Sequence, residues 1–290
     1  MSDELKLPQL PPRENESHKG SYGRALLIGG SRGMAGAISL SGMAALRSGA
    51  GLVKLAVPDV CLDTIAGFEP SYMTVPLPCD DAGRITLAAC DLLSEQISAA
   101  TALACGPGLG RSEDLNQLVA WLYRTVKQPM VFDADALNAL ASQTSILDAP
   151  GGPRIFTPHP GEFARLLGIE TVATEDRGKL ARELAARTGA VVLVKGHETA
   201  ITDGRQLAYN TTGNPGMATG GTGDVLTGVI TAFICQGLSP FDAARLGAHV
   251  HGEAGDYAAA EFGPVGMIAR DLLRRLPRAI RASRETEIPF

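Results

Sequence analysis

A glycine-rich segment that leads into a single carboxylate is the strongest chemical signal in the sequence. The 36 residues 206–241 contain one charged side chain, Asp224, and the fourteen residues before it hold five glycines, among them Gly220, Gly221 and Gly223. Glycines allow the backbone to approach a ligand closely. A helix that begins after them offers free N–H groups and the positive end of its dipole. The pattern predicts a phosphate-binding loop.

Asp224 itself has two interpretations. It could be the N-cap of the helix that follows, a position where aspartate is common. It could instead accept a proton from a substrate hydroxyl, because it lies in apolar surroundings beside an anion site. Capping alone would not require three glycines immediately before the carboxylate. The sequence therefore favours Asp224 as a catalytic base.

Turn and carboxylate residues also follow two segments that we predict to be strands. Gly106-Pro-Gly108-Leu-Gly110 follows the segment that ends at Cys105, and Asp133 and Asp135 follow residues 130–132. We expect Asp135 to cap a helix over residues 136–141, and Asp133 to face bound phosphates or a metal ion.

A third strand-end segment, His159-Pro-Gly-Glu162, reads as the start of a helix. Pro160 suits the first helical position, which makes His159 the N-cap and Glu162 the third residue of the helix, where it can complete a capping box. Gly168 then ends this helix.

Short apolar segments alternate along the chain with segments of helical spacing, and this order predicts an α/β fold. A mostly parallel central sheet covered by helices on both faces follows from it, with ligands at the carboxyl ends of the strands. A hairpin around Asp203-Gly204 comes next. We expect one domain over residues 1–290, with residues 1–20 as a flexible arm or an edge extension. The predicted strands are 24–29, 52–57, 101–105, 130–132, 190–194, 199–202 and 206–209. The predicted helices are 35–48, 114–126, 135–141, 177–187, 225–236, 240–261 and 267–276.

The composition argues against several classes of protein. Of 290 residues, 45% are hydrophobic, which is typical of a globular chain. The 26 Lys and Arg against 31 Asp and Glu give a net charge of −5, which disfavours a nucleic-acid partner. The start of the chain resembles neither a signal peptide nor a membrane anchor. Five widely spaced cysteines form no disulfide or zinc pattern. We expect a cytoplasmic protein without nucleic-acid or membrane partners.

Several motifs in a fixed order resemble the ADP/ATP-dependent NAD(P)H-hydrate dehydratases over residues 19–276, and this resemblance implies a ribokinase-like fold. No segment of the size of the companion epimerase is visible, so we expect the stand-alone, bacterial-type dehydratase. The matching motifs are KGSYGRALLIGGS (19–31), GAISLSGMAALRSGAGLV (36–53), GPGLG (106–110), DADALN (133–138), TPHPGE (157–162), VKGHETAITD (194–203) and NPGMATGGTGDVLTG (214–228).

The resemblance also implies an activity, the repair of the hydrated coenzymes S-NADHX and S-NADPHX. In this family a nucleotide phosphorylates the hydroxyl at C6 of the hydrated nicotinamide ring. Phosphate then leaves and the double bond re-forms. Members that resemble this chain use ADP, which gives AMP, although the sequence leaves ADP and ATP open as donors. The resemblance further implies Mg²⁺ and a homotetramer.

Site residues carry over from the family motifs one by one. Asp224 matches the catalytic aspartate that contacts the substrate, and Gly223 matches a glycine that meets the nucleotide phosphate. The ribokinase-like fold commonly gives a Glu at the position of Glu162 an indirect role on Mg²⁺, and we expect Asp133, from its place at a strand end, to act on Mg²⁺ indirectly as well. The positions matching the coenzyme site are Ala37, Gly108 or Gly110, and His159. The positions matching the nucleotide site are Lys195, Gly196, His197, Glu198 and Thr199, together with the loop glycines Gly220 and Gly221.

Two other functions stay open at this point. A small-molecule kinase of the same fold, acting on a vitamin precursor or a sugar, would accumulate a phosphorylated product. A regulatory protein would bind the nucleotide without turnover, although the glycine-rich loop together with Asp224 argues against it.

Overall fold

Nine strands form one sheet in the computed structural model, which describes residues 6–285. The strands are β1 (Arg24–Ile28), β2 (Leu52–Pro58), β3 (Met73–Leu77), β4 (Ala102–Cys105), β5 (Met130–Phe132), β6 (Arg154–Phe156), β7 (Val191–Val194), β8 (Thr199–Thr202) and β9 (Leu207–Asn210). Their order in the sheet is β3-β2-β1-β4-β5-β6-β7-β8-β9. The neighbours from β3 through β7 pair in parallel, and β8 and β9 add an antiparallel hairpin. The predicted mostly parallel sheet is confirmed.

Helices cover both faces of the sheet. They are α1 (Ala35–Arg47), α2 (Leu62–Ala66), α3 (Cys90–Ser98), α4 (Glu113–Thr125), α5 (Ala134–Ala141), α6 (Pro160–Leu167), α7 (Arg177–Thr188), α8 (Thr222–Cys235), α9 (Pro240–Gly266) and α10 (Ala269–Glu285). One core lies between the sheet and α1, α8, α9 and α10, and a second lies between the sheet and α3 to α7. Leu27 of β1 faces the first core, whereas Leu26 and Ile28 face the second. Both faces of the strand are buried, which is why the parallel strands read as continuous apolar runs.

The carboxyl ends of the parallel strands lie at one edge of the sheet, and the candidate residues follow these ends. Ser31 comes after β1, Gly106 after β4, Asp133 after β5, Thr157 after β6 and Lys195 after β7. This is the edge at which doubly wound sheets bind ligands. The topology therefore gathers residues that are far apart in the sequence.

Two strands were missed by the sequence analysis. β3 is a half-exposed edge strand that contains Pro76, and proline is depleted in strands. β6 is three residues long and begins with Arg154, which is 1% exposed. The guanidinium of Arg154 donates to several carbonyls at the end of α4, among them Tyr123 O at 2.7 Å. An arginine is rarely buried in this way, so residue 154 did not indicate a buried strand. Because of Pro76 in β3 and Arg154 in β6, neither strand shows a continuous apolar run.

The helix boundaries differ from the prediction at the carboxyl end of the chain. α8 begins at Thr222 and therefore includes Gly223 and Asp224 in its first turn. α9 continues beyond residue 261 and bends at Gly263, whose φ is 73°. Within residues 6–285, no helix is both long and apolar enough to cross a membrane.

The segment before β1 packs on the helices as far as it is described. Leu10 contributes to the core on the α8 side. Gln9 Nε2 donates to Ser283 O of α10 at 2.8 Å, and Arg13 Nη2 donates to Gly49 O at 2.7 Å. Of the predicted arm or extension over residues 1–20, residues 1–5 lie outside the described range.

Candidate active site

A lysine and an aspartate form a buried ion pair at the centre of the ligand edge. Lys195 Nζ lies 2.9 Å from Asp133 Oδ1, and Thr227 Oγ1 of α8 donates to Asp133 Oδ2 at 2.8 Å. The Asp133 side chain is 2% exposed. Both carboxylate oxygens of Asp133 are thus engaged, and the residue ties the ends of β5 and β7 to α8.

Lys195 is held as a permanent positive charge. Burial alone would lower its pKa, but the carboxylates of Asp133 and Glu162 outweigh this effect and raise the pKa above its ordinary value. Such a charge at the end of a strand suits a phosphate group.

Asp224 lies beside this pair as the third residue of α8. The N-cap of α8 is Gly221, and no side chain caps the helix start. The interpretation of Asp224 as an N-cap is therefore wrong. Burial raises the pKa of Asp224 to about 7, with a further increase from Asp133 and an opposing effect of Lys195. A carboxyl with such a pKa is suited to accept a proton near neutral pH.

The three glycines of the loop have different surroundings. Gly221 has a φ of 91°, and a Cβ atom added there would lie 2.6 Å from Leu40 Cδ1 of α1. A Cβ atom at Gly223 would lie 3.1 Å from Lys195 Nζ, whereas one at Gly220 would meet no atom within 4 Å. Of these three glycines, Gly223 is therefore the one whose missing side chain leaves space between the start of α8 and Lys195. Gly221 allows the loop to turn against α1.

The residues that follow Lys195 form the turn between β7 and β8. Gly196, His197 and Glu198 are exposed, and Thr199 Oγ1 donates to Gly196 O at 3.0 Å. The structure thus places these four predicted nucleotide residues on the same edge as Lys195, at its rim.

His159 and Glu162 form the predicted capping box at the start of α6, which confirms that interpretation. His159 Nδ1 accepts from Gly161 N at 3.0 Å, and Glu162 Oε2 accepts from His159 N at 2.9 Å. Because Nδ1 accepts, we assign the ring proton to Nε2. Burial and the charges of Lys195 and Arg165 lower the pKa of His159 below its ordinary value. The helix ends at Gly168, as predicted.

The side chains described in this cluster are not arranged to coordinate a metal ion directly. Within residues 6–285, no group of three or more His, Cys, Asp or Glu side chains is arranged to hold a metal ion. Asp133 is engaged by Lys195 and Thr227, and Glu162 by the backbone of His159. Mg²⁺ is usually held through phosphates and retained waters, and an indirect role of these two carboxylates fits that mode.

Ala37, Gly108 and Gly110 lie together on the β1–β4 side of the edge. A Cβ atom at Gly108 would lie 3.1 Å from Ala37 Cβ, so this turn packs against the first turn of α1. Gly110 N donates to Asp135 Oδ2 at 2.9 Å. The helix α5 begins at Ala134 with Asp133 as its N-cap residue, so the prediction that Asp135 caps it is wrong. Asp135 instead anchors the turn at Gly110.

A serine of α1 connects this group with Asp224. Ser41 Oγ donates to Asp224 O at 2.7 Å and lies 3.3 Å from Ala37 O. Asp224 thus lies between the Ala37 side of the edge and the side of His159 and Lys195. The candidate residues form one continuous edge with Asp224 near its middle.

Comparison with known proteins shows the family of this chain. The family model described as NAD(P)H-hydrate dehydratase matches residues 25–278. The chain belongs to the NAD(P)H-hydrate dehydratase family. The bifunctional NAD(P)H-hydrate repair enzyme Nnr of Moorella thermoacetica is 49% identical over 276 residues, which are 94% of this chain and 52% of that protein. The chain thus spans about half the length of the curated relatives it matches.

Two solved structures have the same fold as this chain. The ADP/ATP-dependent NAD(P)H-hydrate dehydratase of Bacillus subtilis, co-crystallised with ATP and Mg²⁺, gives a TM-score of 0.81 at 32% identity, with 95% of each chain covered. A ribokinase-like superfamily protein of Enterococcus faecalis gives 0.79 at 26% identity, with 94% of this chain and 92% of that chain covered. The ribokinase-like fold is confirmed.

Sequence reasoning did not foresee the contacts that two residues of α9 make with the glycine-rich loop and the start of α8. His251 of α9 is buried and donates from Nε2 to Thr222 O at 2.8 Å, and burial lowers its pKa to about 4. Asp256 of α9 accepts from Gly213 N and from Asn214 Nδ2, both at 2.9 Å. These contacts join α9 to the glycine-rich loop and to the first residue of α8. Helical spacing within α9 was the only signal, and it does not say which side chain meets the loop.

Proposed function

We propose that this chain catalyses the nucleotide-dependent dehydration of S-NADHX and S-NADPHX to NADH and NADPH. Family membership supports the reaction class. The observation that carries the proposal for this chain is the setting of Asp224, a carboxyl with a pKa of about 7 beside Gly223 and Lys195. A base next to a phosphate-binding element is what phosphoryl transfer to a hydroxyl requires.

In the first step, the C6 hydroxyl oxygen of the hydrated ring attacks the terminal phosphorus of ADP. A new P–O bond forms, the bond to AMP breaks, and Asp224 accepts the hydroxyl proton. Lys195 and the free N–H groups at the start of α8 stabilise the negative charge on the transferred phosphate. With ATP as donor, ADP would leave instead.

In the second step, phosphate departs with the electron pair of its bond to C6, and a proton passes from C5 to water. The C5–C6 double bond re-forms and the reduced nicotinamide is restored. The phosphate ester is a better leaving group than hydroxide, which explains why a dehydration uses a kinase-like site.

Magnesium belongs to the proposal through the bound nucleotide. Glu162 and Asp133 would hold it indirectly, through water molecules, and it would neutralise phosphate charge. Gly220, Gly221 and the turn Gly196–Thr199 complete the proposed nucleotide site, and His159, Ala37 and the turn at Gly108 and Gly110 complete the coenzyme site. A cytoplasmic location and a homotetramer are also part of the proposal, and sedimentation of the purified chain tests the latter.

The phosphorus-containing products distinguish dehydration from simple kinase activity. Purified protein is incubated with S-NADHX, Mg²⁺ and ADP, and the products are separated and quantified. We expect AMP, inorganic phosphate and NADH in equal amounts. A stable phosphorylated coenzyme without NADH would indicate a kinase and contradict the proposal.

A further inference from the structure

Three arginines lie together on the β1–β4 side of the ligand edge, outside the lysine–carboxylate cluster. Arg32 follows β1, and its backbone N–H donates to Gly83 O at 3.2 Å. The next residue, Arg84, donates from Nη1 to Arg111 O at 2.8 Å. A Cβ atom at Gly110 would lie 3.5 Å from Arg84 Cδ. We call Arg32, Arg84 and Arg111 the arginine cluster.

The charges of the arginine cluster are only partly balanced. Arg84 is paired with Asp80, with Nη2 at 2.8 Å from Oδ2. Arg111 is 66% exposed and lies 3.6 Å from Asp135 Oδ1. Arg32 is exposed and makes no ion pair with any residue in the described range 6–285. Arg84 therefore braces the turn at Arg111, while the Arg32 and Arg111 guanidiniums are available to an anion.

The strand order separates the arginine cluster from the lysine that serves the nucleotide. Arg32 follows β1 and Arg111 follows β4, whereas Lys195 follows β7, with β5 and β6 between them. Ser41 contacts the backbone of both Asp224 and Ala37, and Ala37 packs against the turn at Gly108. Asp224 is thus connected to the side of the edge on which the arginine cluster lies.

The proposed reaction needs two phosphate-bearing ligands at once. The donor nucleotide has its phosphates at Lys195 and Gly223, and the dinucleotide carries its own phosphates well away from its reacting ring. The reacting ring lies at Asp224 in the proposed complex. When the rest of the dinucleotide extends past Ala37 and Gly108, its phosphates reach the β1–β4 side. Guanidinium groups suit them, because their planar donors match phosphate oxygens.

We propose that Arg32 and Arg111, braced by Arg84, bind phosphate groups of the hydrated dinucleotide and not of the donor nucleotide. This inference rests on the proposed function. The diphosphate bridge, present in both coenzymes, and the 2′-phosphate, present only in NADPHX, offer the same chemistry to the arginines.

Binding of the reaction products tests the assignment without turnover. NADH and NADPH are titrated into wild type, Arg32→Gln, Arg111→Gln and the double variant, with nicotinamide fluorescence as the signal, and AMP binding is measured by calorimetry. Each single change should weaken dinucleotide binding by about five- to tenfold, the effect of a lost charged hydrogen bond at an exposed site. AMP affinity should stay unchanged. Arg124→Gln, an exposed arginine in the last turn of α4, is the matched control.

The pattern of losses identifies the phosphate and decides the inference. Equal weakening of NADH and NADPH assigns the arginines to the diphosphate, and weakening of NADPH alone assigns them to the 2′-phosphate. Either result supports the proposal. Unchanged binding of both dinucleotides to the folded double variant, or an equal loss of AMP affinity, would overturn it. Failure of the wild type to bind either dinucleotide would count against the proposed function itself.

Discussion

Replacing Asp224 with asparagine separates its chemical role from its structural one. Asparagine keeps the shape of the side chain but cannot accept the proton of the substrate hydroxyl. Turnover should fall by roughly 10²- to 10⁴-fold, the usual contribution of a general base. The affinity for ADP should change little, because the backbone at Gly223 and the charge of Lys195 remain.

The pKa of about 7 also fixes the pH dependence of the wild type. The base must be deprotonated to act, so about a tenth of the sites are active at pH 6 and about nine tenths at pH 8. We expect kcat/KM to rise through pH 7 and then level off. A profile that rises near pH 4 and is flat around neutrality would show that Asp224 does not control the reaction.

The same pKa makes a prediction about stability, with a definite sign. An unfolded Asp carboxyl with a pKa near 3.8 loses its proton before the folded one, so the folded protein holds more protons between pH 4 and pH 7. Wild-type stability should therefore fall across this window, while Asp224→Asn should not. The pKa difference corresponds to roughly 4 kcal/mol, and the partial exposure of the side chain reduces this to about 2 kcal/mol.

Two assays measure these effects together. Urea unfolding of wild type and Asp224→Asn at pH 4 and pH 8 gives the stability difference, and NADH formation gives turnover. We expect equal stabilities at pH 4 and a more stable Asn variant at pH 8. Near-wild-type turnover by folded Asp224→Asn, or a less stable variant at pH 8, would refute the reasoning.

Substitutions at three further positions test two residues of the ligand edge and one buried residue of β6. Gly223→Ala places a methyl group 3.1 Å from Lys195 Nζ and should weaken ADP binding about tenfold by calorimetry; unchanged ADP affinity in the folded variant would contradict this. His159→Ala should weaken dinucleotide binding more than ADP binding and should destabilise α6 by about 1 kcal/mol. His159→Asn should restore the helix cap but not the dinucleotide affinity. Equal losses of affinity for both ligands would contradict this role of His159. Arg154→Met leaves the carbonyls at the end of α4 without donors and should lower the free energy of unfolding by about 3 kcal/mol, with unchanged kcat in the folded fraction; an unchanged unfolding midpoint would argue against it.

The sequence predicted the strands and helices that have simple apolar periodicity. β5 was predicted to the residue, because three apolar residues lie between a proline and an aspartate. β6 could not be predicted, because its first residue is a buried arginine whose partners are the carbonyls of a helix about 30 residues away. Such a side chain reads as exposed until the tertiary contact is known.

At the site, the sequence identified residue types and local caps but not long-range partners. The capping box of His159 and Glu162 is a local motif and was predicted correctly. The role of Asp135 was missed, because its partner is the backbone of Gly110, 25 residues away. The pKa of Asp224 likewise depends on burial and on Asp133, which only the folded chain brings together.

The recovery of reduced nicotinamide from its hydrate tests the central proposal most directly. Purified protein is mixed with S-NADHX and Mg²⁺, and the absorbance band of NADH is followed before and after the addition of ADP or ATP. We predict no recovery without nucleotide and full recovery after its addition, with one nucleotide consumed for each NADH formed. Absence of recovery with both nucleotides in a folded preparation that binds them would contradict the proposed dehydratase activity.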